Sequence, residues 1–425
     1  MKSKALRLYG KDDLRLEEFE LPAIKEDEIL AKVVCDSICM SSYKAATQAD
    51  THKRVPRNIA TNPVIIGHEF AGEIVEVGKK WQNQFKAGEK FSLQPAVNYA
   101  DGPLGVVGAI GYTYEFIGGD ATYVIIPKEV MEQGCLLSFT GKGFYPAALS
   151  EPFSCVIGAM HSCYHTTAGS YAHTMEIKNG GCMAILAGVG PMGLAAINYV
   201  LHRKDVKPRL FVITDINQER LDRAAALYSP EFAASRGIEL KYVNTGVLEN
   251  PAEYLRALTG GAGYDDVHVM APVPSVVQQA DEILAHDGCL NFFSGPSKNP
   301  FIAPLNFYDV HYSAHHIIGS NGGNTADMQE ALDMMSDDMD PAGLVTHVGG
   351  LNSAGESTLN LPSIPGGKKL IYTHIDMPLT PIADFAEKGK TNPAYAVLAE
   401  LCEKNGGLWN LEAEEYLLSN PEKFA

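Results

Sequence analysis

Residues 183–197 read MAILAGVGPMGLAAI, and the fold turns on how that line is understood. Five apolar residues, Met183 to Ala187, have the length and composition of a strand buried on both faces. Three glycines follow at Gly188, Gly190 and Gly193, and an apolar helical stretch begins at once. The G-x-G-x-x-G spacing says little alone, but between a buried strand and a helix it describes a turn built to hold a pyrophosphate. The first glycine makes the tight turn. The second lets backbone approach the phosphates, and the third lets helix pack close on strand. Pro191 suits the first turn of a helix, where its missing N–H would have no partner anyway. With Met192 it leaves the free N–H groups and the positive end of the helix dipole facing the anion. The next apolar strand, RLFVITD, ends in Asp215, 22 residues past Gly193. An acid there bonds the ribose hydroxyls of the adenosine. Ile216 and Asn217 follow with no cation, which favours NAD(H) over NADP(H), although Arg220 lies within a helical turn.

Working outward, strand and helix alternate from about residue 180 to 320, the signature of a parallel sheet with crossover helices. Before residue 150 the text is different: short strands such as EILAKVVCDSI, FAGEIVEVG, EKFSLQP and ATYVIIP, separated by Gly, Pro and Asp. Beyond 320, helix and short strand return and the chain ends in a polar helical tail. The expected class is α/β, with a β-rich domain over 1–155 and a doubly wound parallel-sheet domain over 156–320. Residues 321–425 are expected to return to the first domain and add a C-terminal helical extension.

The chain has 425 residues and a formal charge of −17. Surfaces that bind nucleic acid or anionic membranes need clustered Lys and Arg, so neither partner is expected. No signal-peptide pattern opens the sequence and no run of about 20 apolar residues occurs, so a cytoplasmic protein is expected. The eight cysteines form no C-x-x-C pair and are expected to be free thiols.

Residues 62–78, NPVIIGHEFAGEIVEVG, place His68 and Glu69 side by side after Gly67. Neighbouring side chains on a strand face opposite ways, so both reach one target only if the backbone turns, which Gly67 permits. Cys39 ends the strand before the segment CMSSYKAA, and Glu151 precedes a proline in LSEPFSCVIGAMHS. Thiolate, imidazole and carboxylate are the donors of a catalytic zinc site. Cys39 as thiolate, neutral His68 and one of Glu69 and Glu151 neutralise a dication and leave a position open for a substrate oxygen. The second carboxylate is expected to reach substrate or water rather than bind at the same time.

A cysteine near residue 40, GHEFAGEIVEVG, EPFSCVIGA and GVGPMG, in that order over residues 1 to about 375, resemble the zinc-dependent medium-chain alcohol and polyol dehydrogenase superfamily. ALRLYGKDDLRLEE, TDINQERL, LNFFSGP, NFYDVHY and GGKKLIYT resemble its branch that reduces L-sorbose 1-phosphate. The resemblance implies a GroES-like catalytic domain, a Rossmann domain, one catalytic zinc, and hydride transfer between nicotinamide and the carbon of a ketose or polyol. It also implies a homo-oligomer, dimer or tetramer. The family's proton-relaying hydroxyl falls on Ser41.

The sequence departs from the family in three ways. Residues 94–120 hold no cysteine where the family often has four, so no structural zinc is expected. Ser42 replaces the usual Asp beside the site, and Lys44 replaces a His of the relay. The tail after about residue 380 exceeds the family's usual length and has no assigned role. Lys44, Lys53 and Arg54 form the tight basic cluster of the catalytic domain, the donors a phosphorylated sugar needs. Lys368–Lys369 opens a strand and is read chiefly as its start. His311, His315 and His316 are read as core or interface packing. The alternatives are a metal-free quinone or enoyl reductase on the same scaffold, which would not need Cys39 or His68–Glu69, and a non-catalytic NAD-binding protein.

Overall fold

In the computed structural model, which describes residues 1–167, 169–297 and 299–424, strand Ile29–Ser37 is the axis of the first unit. Its β-branched, apolar sequence suits burial on both faces, and eight of its nine residues are buried. One edge pairs antiparallel with Phe70–Val77. The other edge takes Tyr123–Ile126 along its first half and Lys368–Tyr372 at its end, with Leu370 opposite Ser37 and Tyr372 opposite Cys35. Lys90–Leu93 and Leu136–Ser138 extend the sheet on one side. On the other, Val345–Gly350 runs parallel to Lys368–Tyr372, the helix Leu351–Leu359 lying between them in sequence. Ile29, Val33, Phe70, Ile74, Phe91 and Val124 form the core of this sheet. Strands from both ends of the chain therefore build one unit, Met1–Glu151 with Met328–Ala425.

The second unit is Pro152–Asp327. Besides a two-stranded antiparallel ribbon, Tyr164–Thr166 with His173–Met175, it holds a six-stranded sheet that is all parallel, in the spatial order Glu239–Asn244, Leu210–Asp215, Cys182–Leu186, Tyr264–Val269, Leu284–Phe292, His316–Gly319. Numbered along the chain this is 3-2-1-4-5-6, the doubly wound order of dinucleotide-binding sheets. Cys182–Leu186 sits at the switch point and is wholly buried.

After strand Cys182–Leu186, Ala187 takes a left-handed conformation (φ 55°) and the turn runs into helix Pro191–His202. A Cβ on Gly193 would lie 2.0 Å from the Gly188 carbonyl oxygen, so only glycine lets helix and strand approach this closely. A Cβ on Gly190 would meet nothing within 4 Å. No side chain caps the Gly190 end of the helix, so its N–H groups are left for another acceptor.

The tail folds onto the first unit. Helices Pro393–Lys404 and Leu411–Ser419 are capped by the side chains of Asn392 and Asn410. Phe385, Tyr395, Trp409 and Phe424 pack ring against ring beneath them. All eight cysteines are free, and no helix among the described residues is long and apolar enough to cross a membrane.

Candidate active site

Gly67 has φ +92°, and the chain turns there before entering strand Phe70–Val77. A Cβ at this position would lie 2.7 Å from the Asp120 nitrogen, so conformation and crowding both require glycine. The turn brings His68 and Glu69 to the end of strand Ile29–Ser37, where the chain passes through Cys39 into helix Met40–Gln48. The donor atoms of Cys39, His68 and Glu69 lie within 4.8 Å of one another, His68 and Glu69 being buried. Sulfur, imidazole and carboxylate from three separate backbone positions fit a zinc ion.

The charges are balanced by a residue that sequence reasoning did not place. Lys368 Nζ reaches both oxygens of Glu69, at 2.5 and 2.6 Å, across 299 residues of sequence. Both groups are buried, the lysine 7% and the glutamate 1% exposed. Burial alone would raise the Glu69 carboxyl, but the lysine ammonium overrides it and the group stays ionised. The Lys368 ammonium is in turn held above its usual value by Glu69, against the effect of burial. Burial pushes the Cys39 thiol up to about 12, with the Glu69 charge adding and Lys368 opposing. Burial also pushes His68 down to about 4, keeping the imidazole neutral, the form in which it binds a metal.

Glu151 lies in the first turn of helix Ser150–His161 and its charge is felt by Cys39 and Lys368. The structure thus brings three of the four expected donors into direct juxtaposition, and Glu151 comes near enough for its charge to act on Cys39. The Ser41 hydroxyl accepts from the Cys39 thiol at 3.5 Å. Ser42 is not idle in the absence of the expected carboxylate: its hydroxyl stands 3.4 Å from His68 Nδ1.

Tyr112 was missed. It comes from the cysteine-free segment 94–120, its hydroxyl 3.3 Å from His68 Nε2 and hydrogen-bonded to Ser41. Its ring tilts against His68 at 4.9 Å and stacks on His52 at 5.7 Å. The Arg54 guanidinium carbon lies 5.7 Å from the same ring. Burial lowers His52, and then Arg54, Lys53 and Lys44 lower it further, so the charges of all three cations reach this imidazole. Arg54 is also felt by His68. The aromatic Tyr112 in a Gly-rich loop was the only signal available from sequence.

In the second unit Asp215 ends its strand as expected. Its Oδ1 accepts from the backbone N–H groups of Ile216 and Asn217 at 2.8 and 2.9 Å, which fixes the carboxylate at the strand end. The Arg220 backbone N–H is taken by the Asn217 side chain, and the residue is exposed. Of the histidine group, His315 bonds Asp281 at 3.4 Å and His316 bonds Asp287 at 2.7 Å, while His311 is exposed and packs edge-on against Tyr312. They are separate contacts. Among the described residues only Cys39, His68 and Glu69 form a three-donor group.

A β-rich unit that gathers thiol, imidazole and carboxylate donors, in one chain with a parallel sheet whose first strand ends in a glycine-rich turn, is the build of a zinc-type alcohol dehydrogenase. Two family models agree: "Alcohol dehydrogenase GroES-like domain" matches residues 25–133 and "Zinc-binding dehydrogenase" matches 177–337. The chain belongs to the zinc-type medium-chain polyol dehydrogenase family, and it is an oxidoreductase. It is 50% identical to the mannitol-1-phosphate 5-dehydrogenase of Aliivibrio fischeri over 97% of this chain and 96% of that one. It is 47% identical to the L-sorbose 1-phosphate reductase of Klebsiella pneumoniae over 98% of each. At that coverage most of the C-terminal extension lies inside the match. The crystal structure of 2R,3R-butanediol dehydrogenase from Bacillus subtilis shares the fold, with a TM-score of 0.69 at 23% identity over 87% of this chain and 99% of that one.

Proposed function

We propose that the protein reduces a ketose 1-phosphate, such as L-sorbose 1-phosphate, to the polyol phosphate with NADH, using one catalytic zinc ion. The observation that carries this reading is the Cys39–His68–Glu69 group, half-buried at the cysteine and buried at the other two, with Arg54 close enough for its charge to act on His68. Cys39, His68 and one carboxylate hold the zinc. Lys368 holds both oxygens of Glu69, so Glu151 is assigned as the carboxylate that would join Cys39 and His68, and the Cys39 thiolate plus Glu151 would then neutralise the dication. Glu69 stays paired with the lysine beside the site.

Zinc, when bound, polarises the substrate's C2 carbonyl oxygen, and the nicotinamide supplies the hydride. The residues of the chain orient and protonate. Ser42 holds His68 through Nδ1, as an outer partner does for a histidine ligand, and Nε2, which meets the Tyr112 hydroxyl, is the nitrogen that would turn to the metal. Ser41 holds the proton at its Oγ and passes it to the substrate oxygen as the carbonyl becomes an alcohol. Lys44, Lys53 and Arg54 bind the phosphate, with His52 among them, since charge-assisted bonds to phosphate oxygens are the strong kind. Gly188, Gly190 and Gly193, with Pro191 and Met192, cradle the dinucleotide pyrophosphate. Asp215 takes the ribose hydroxyls and repels a 2′-phosphate, which favours NAD(H). The relatives named for mannitol 1-phosphate and sorbose 1-phosphate support a phosphorylated C6 polyol or ketose as the substrate class.

The test is turnover with NADH and NADPH against L-sorbose 1-phosphate, fructose 1-phosphate and the free ketoses, together with metal analysis of the wild type and Cys39→Ala. The reading expects NADH-dependent reduction of a phosphorylated ketose and zinc that Cys39→Ala does not retain. Zinc-free protein that still turns over would remove the mechanism, and free ketoses preferred over their phosphates would remove the substrate assignment.

A further inference from the structure

The tail beyond residue 380 ends in a buried carboxylate that the chemistry above does not use. Glu414, on helix Leu411–Ser419, is 1% exposed. Its Oε2 accepts from the Phe144 N–H at 2.7 Å, and its Oε1 from the Tyr145 N–H and the Tyr372 hydroxyl, each at 2.8 Å. Trp409 Nε1 donates to that same Tyr372 oxygen at 2.9 Å. Gly143 (φ +71°) is pressed against the carboxylate, where a Cβ would lie 2.4 Å from Glu414 Oε2. Burial raises the Glu414 carboxyl, and the three hydrogen-bond donors, with the Lys90 ammonium further off, oppose it.

Each partner lies in a segment that leads to the metal donors. Phe144 and Tyr145 open helix Tyr145–Ala148, which runs into the helix whose first turn holds Glu151, the two linked by the Ser150 hydroxyl donating to the Ala147 carbonyl at 2.6 Å. Tyr372 ends the strand that begins with Lys368, the partner of Glu69. Cys35, opposite Tyr372 in the sheet, is four residues before Cys39 on the adjacent strand.

We propose that the C-terminal extension is a positioning device for the metal site, with Glu414 as its positioning residue. One carboxylate fixes the approach of Glu151, the strand of Lys368 and, through Tyr372, the strand that delivers Cys39. The inference rests on the reading that Cys39, His68 and a carboxylate bind zinc. Substituting Glu414→Gln keeps the volume but sets an amide NH₂ against an N–H or O–H donor, so at least one of the three bonds is lost. Tyr372→Phe removes a single hydroxyl.

The test uses the full chain loaded with cobalt(II) in place of zinc, whose visible absorption reports ligand geometry independently of turnover, and measures metal affinity by competition with a chelator. Expected for Glu414→Gln are shifted cobalt bands, metal affinity at least ~10-fold weaker, and lower kcat with the KM for nicotinamide unchanged, on a folded protein. Tyr372→Phe should shift in the same direction by less, and the exposed Glu412→Gln should match wild type. Wild-type bands and affinity in both Glu414→Gln and Tyr372→Phe, with only a lowered melting temperature, would overturn the proposal and leave the tail a structural cover. If Glu414→Gln does not fold, Tyr372→Phe decides by the same criteria. If the wild type binds cobalt no more tightly than Cys39→Ala, the zinc reading itself has failed and takes this proposal with it, a result distinguishable from the previous one.

Discussion

At the scale of single residues, the fold places buried charges where each needs a stated answer. Lys368 is the answer for Glu69, and the pair predicts its own mutants. Lys368→Met leaves an uncompensated carboxylate in the interior, which costs on the order of 3–5 kcal/mol, whereas Lys368→Met with Glu69→Gln recovers most of that loss. Urea unfolding of both variants checks it, and a single variant as stable as wild type would contradict the buried pairing. Asp36 and Asp120 pose the opposite case. Both are 1% exposed, and neither Asp36 oxygen nor Asp120 Oδ1 has a hydrogen-bond partner among the described residues. Burial first, then the neighbouring charges of Asp120 and Glu69, hold the Asp36 carboxyl well above its unfolded value of 3.8; burial raises Asp120 likewise. The folded state therefore binds more protons than the unfolded one. Stability is full below the unfolded value and falls as pH rises from there through the raised folded values. Asp120→Asn removes one charge and gives Asp36 an N–H donor. It should be more stable than wild type by on the order of 1–3 kcal/mol at pH 8, with the difference shrinking towards pH 4. Denaturation across that pH range reads it, and a pH-independent difference would refute the shared burial of charge.

At the scale of elements, two loops separate what a fold needs from what a ligand needs. Gly193→Ala drives a Cβ to 2.0 Å from the Gly188 carbonyl and must push helix from strand, so it should destabilise by about 1–3 kcal/mol whether nucleotide is present or not. Gly190→Ala meets nothing and should leave unfolding within about 0.5 kcal/mol of wild type while raising the KM for NADH several-fold, because its methyl enters the space the pyrophosphate takes. Melting curves and nucleotide KM on the pair check this, and equal effects of the two would deny the turn its role. In the loop after helix Met40–Gln48, Arg54→Ala should lower kcat/KM for the phosphorylated ketose by about 10- to 100-fold, the worth of one charge-assisted bond, and leave an unphosphorylated ketose unaffected. A loss equal on both substrates would place Arg54 elsewhere in the chemistry. The turn at residues 188–193 was legible in the sequence for a physical reason: glycine spacing and the switch from strand to helix periodicity are local signals. Lys368 and Tyr112 were not. A lysine opening an apolar strand reads as a strand start until sheet register sets it opposite an acid 299 residues away, and a lone tyrosine in a glycine-rich loop carries no period.

At the scale of the whole molecule, the class of each unit was legible because a parallel αβ alternation and a set of short antiparallel strands have different textures. How the tail docks was not, because Glu414 finds its partners at Phe144, Tyr145 and Tyr372, up to 270 residues away in sequence. The division of labour makes a further prediction. Cys39, His68, Glu69 and Glu151 all belong to the unit Met1–Glu151 with Met328–Ala425, and the dinucleotide turn and Asp215 belong to Pro152–Asp327. A ligand that binds only the folded form stabilises what it binds, by about 2.7 kcal/mol at a concentration 100 times its dissociation constant. Chelation should therefore speed amide exchange in 29–39, 64–77 and 368–372, with little change in 182–202. NADH should slow exchange in 182–202 and at 210–217 with little change in the metal segments, and NADPH should do so less because its 2′-phosphate meets the Asp215 carboxylate. Hydrogen exchange read by mass spectrometry on the intact chain resolves these segments. Exchange in 29–77 unaffected by chelation of a zinc-loaded sample would show that the ion is not held by the thiolate, imidazole and carboxylates of that unit.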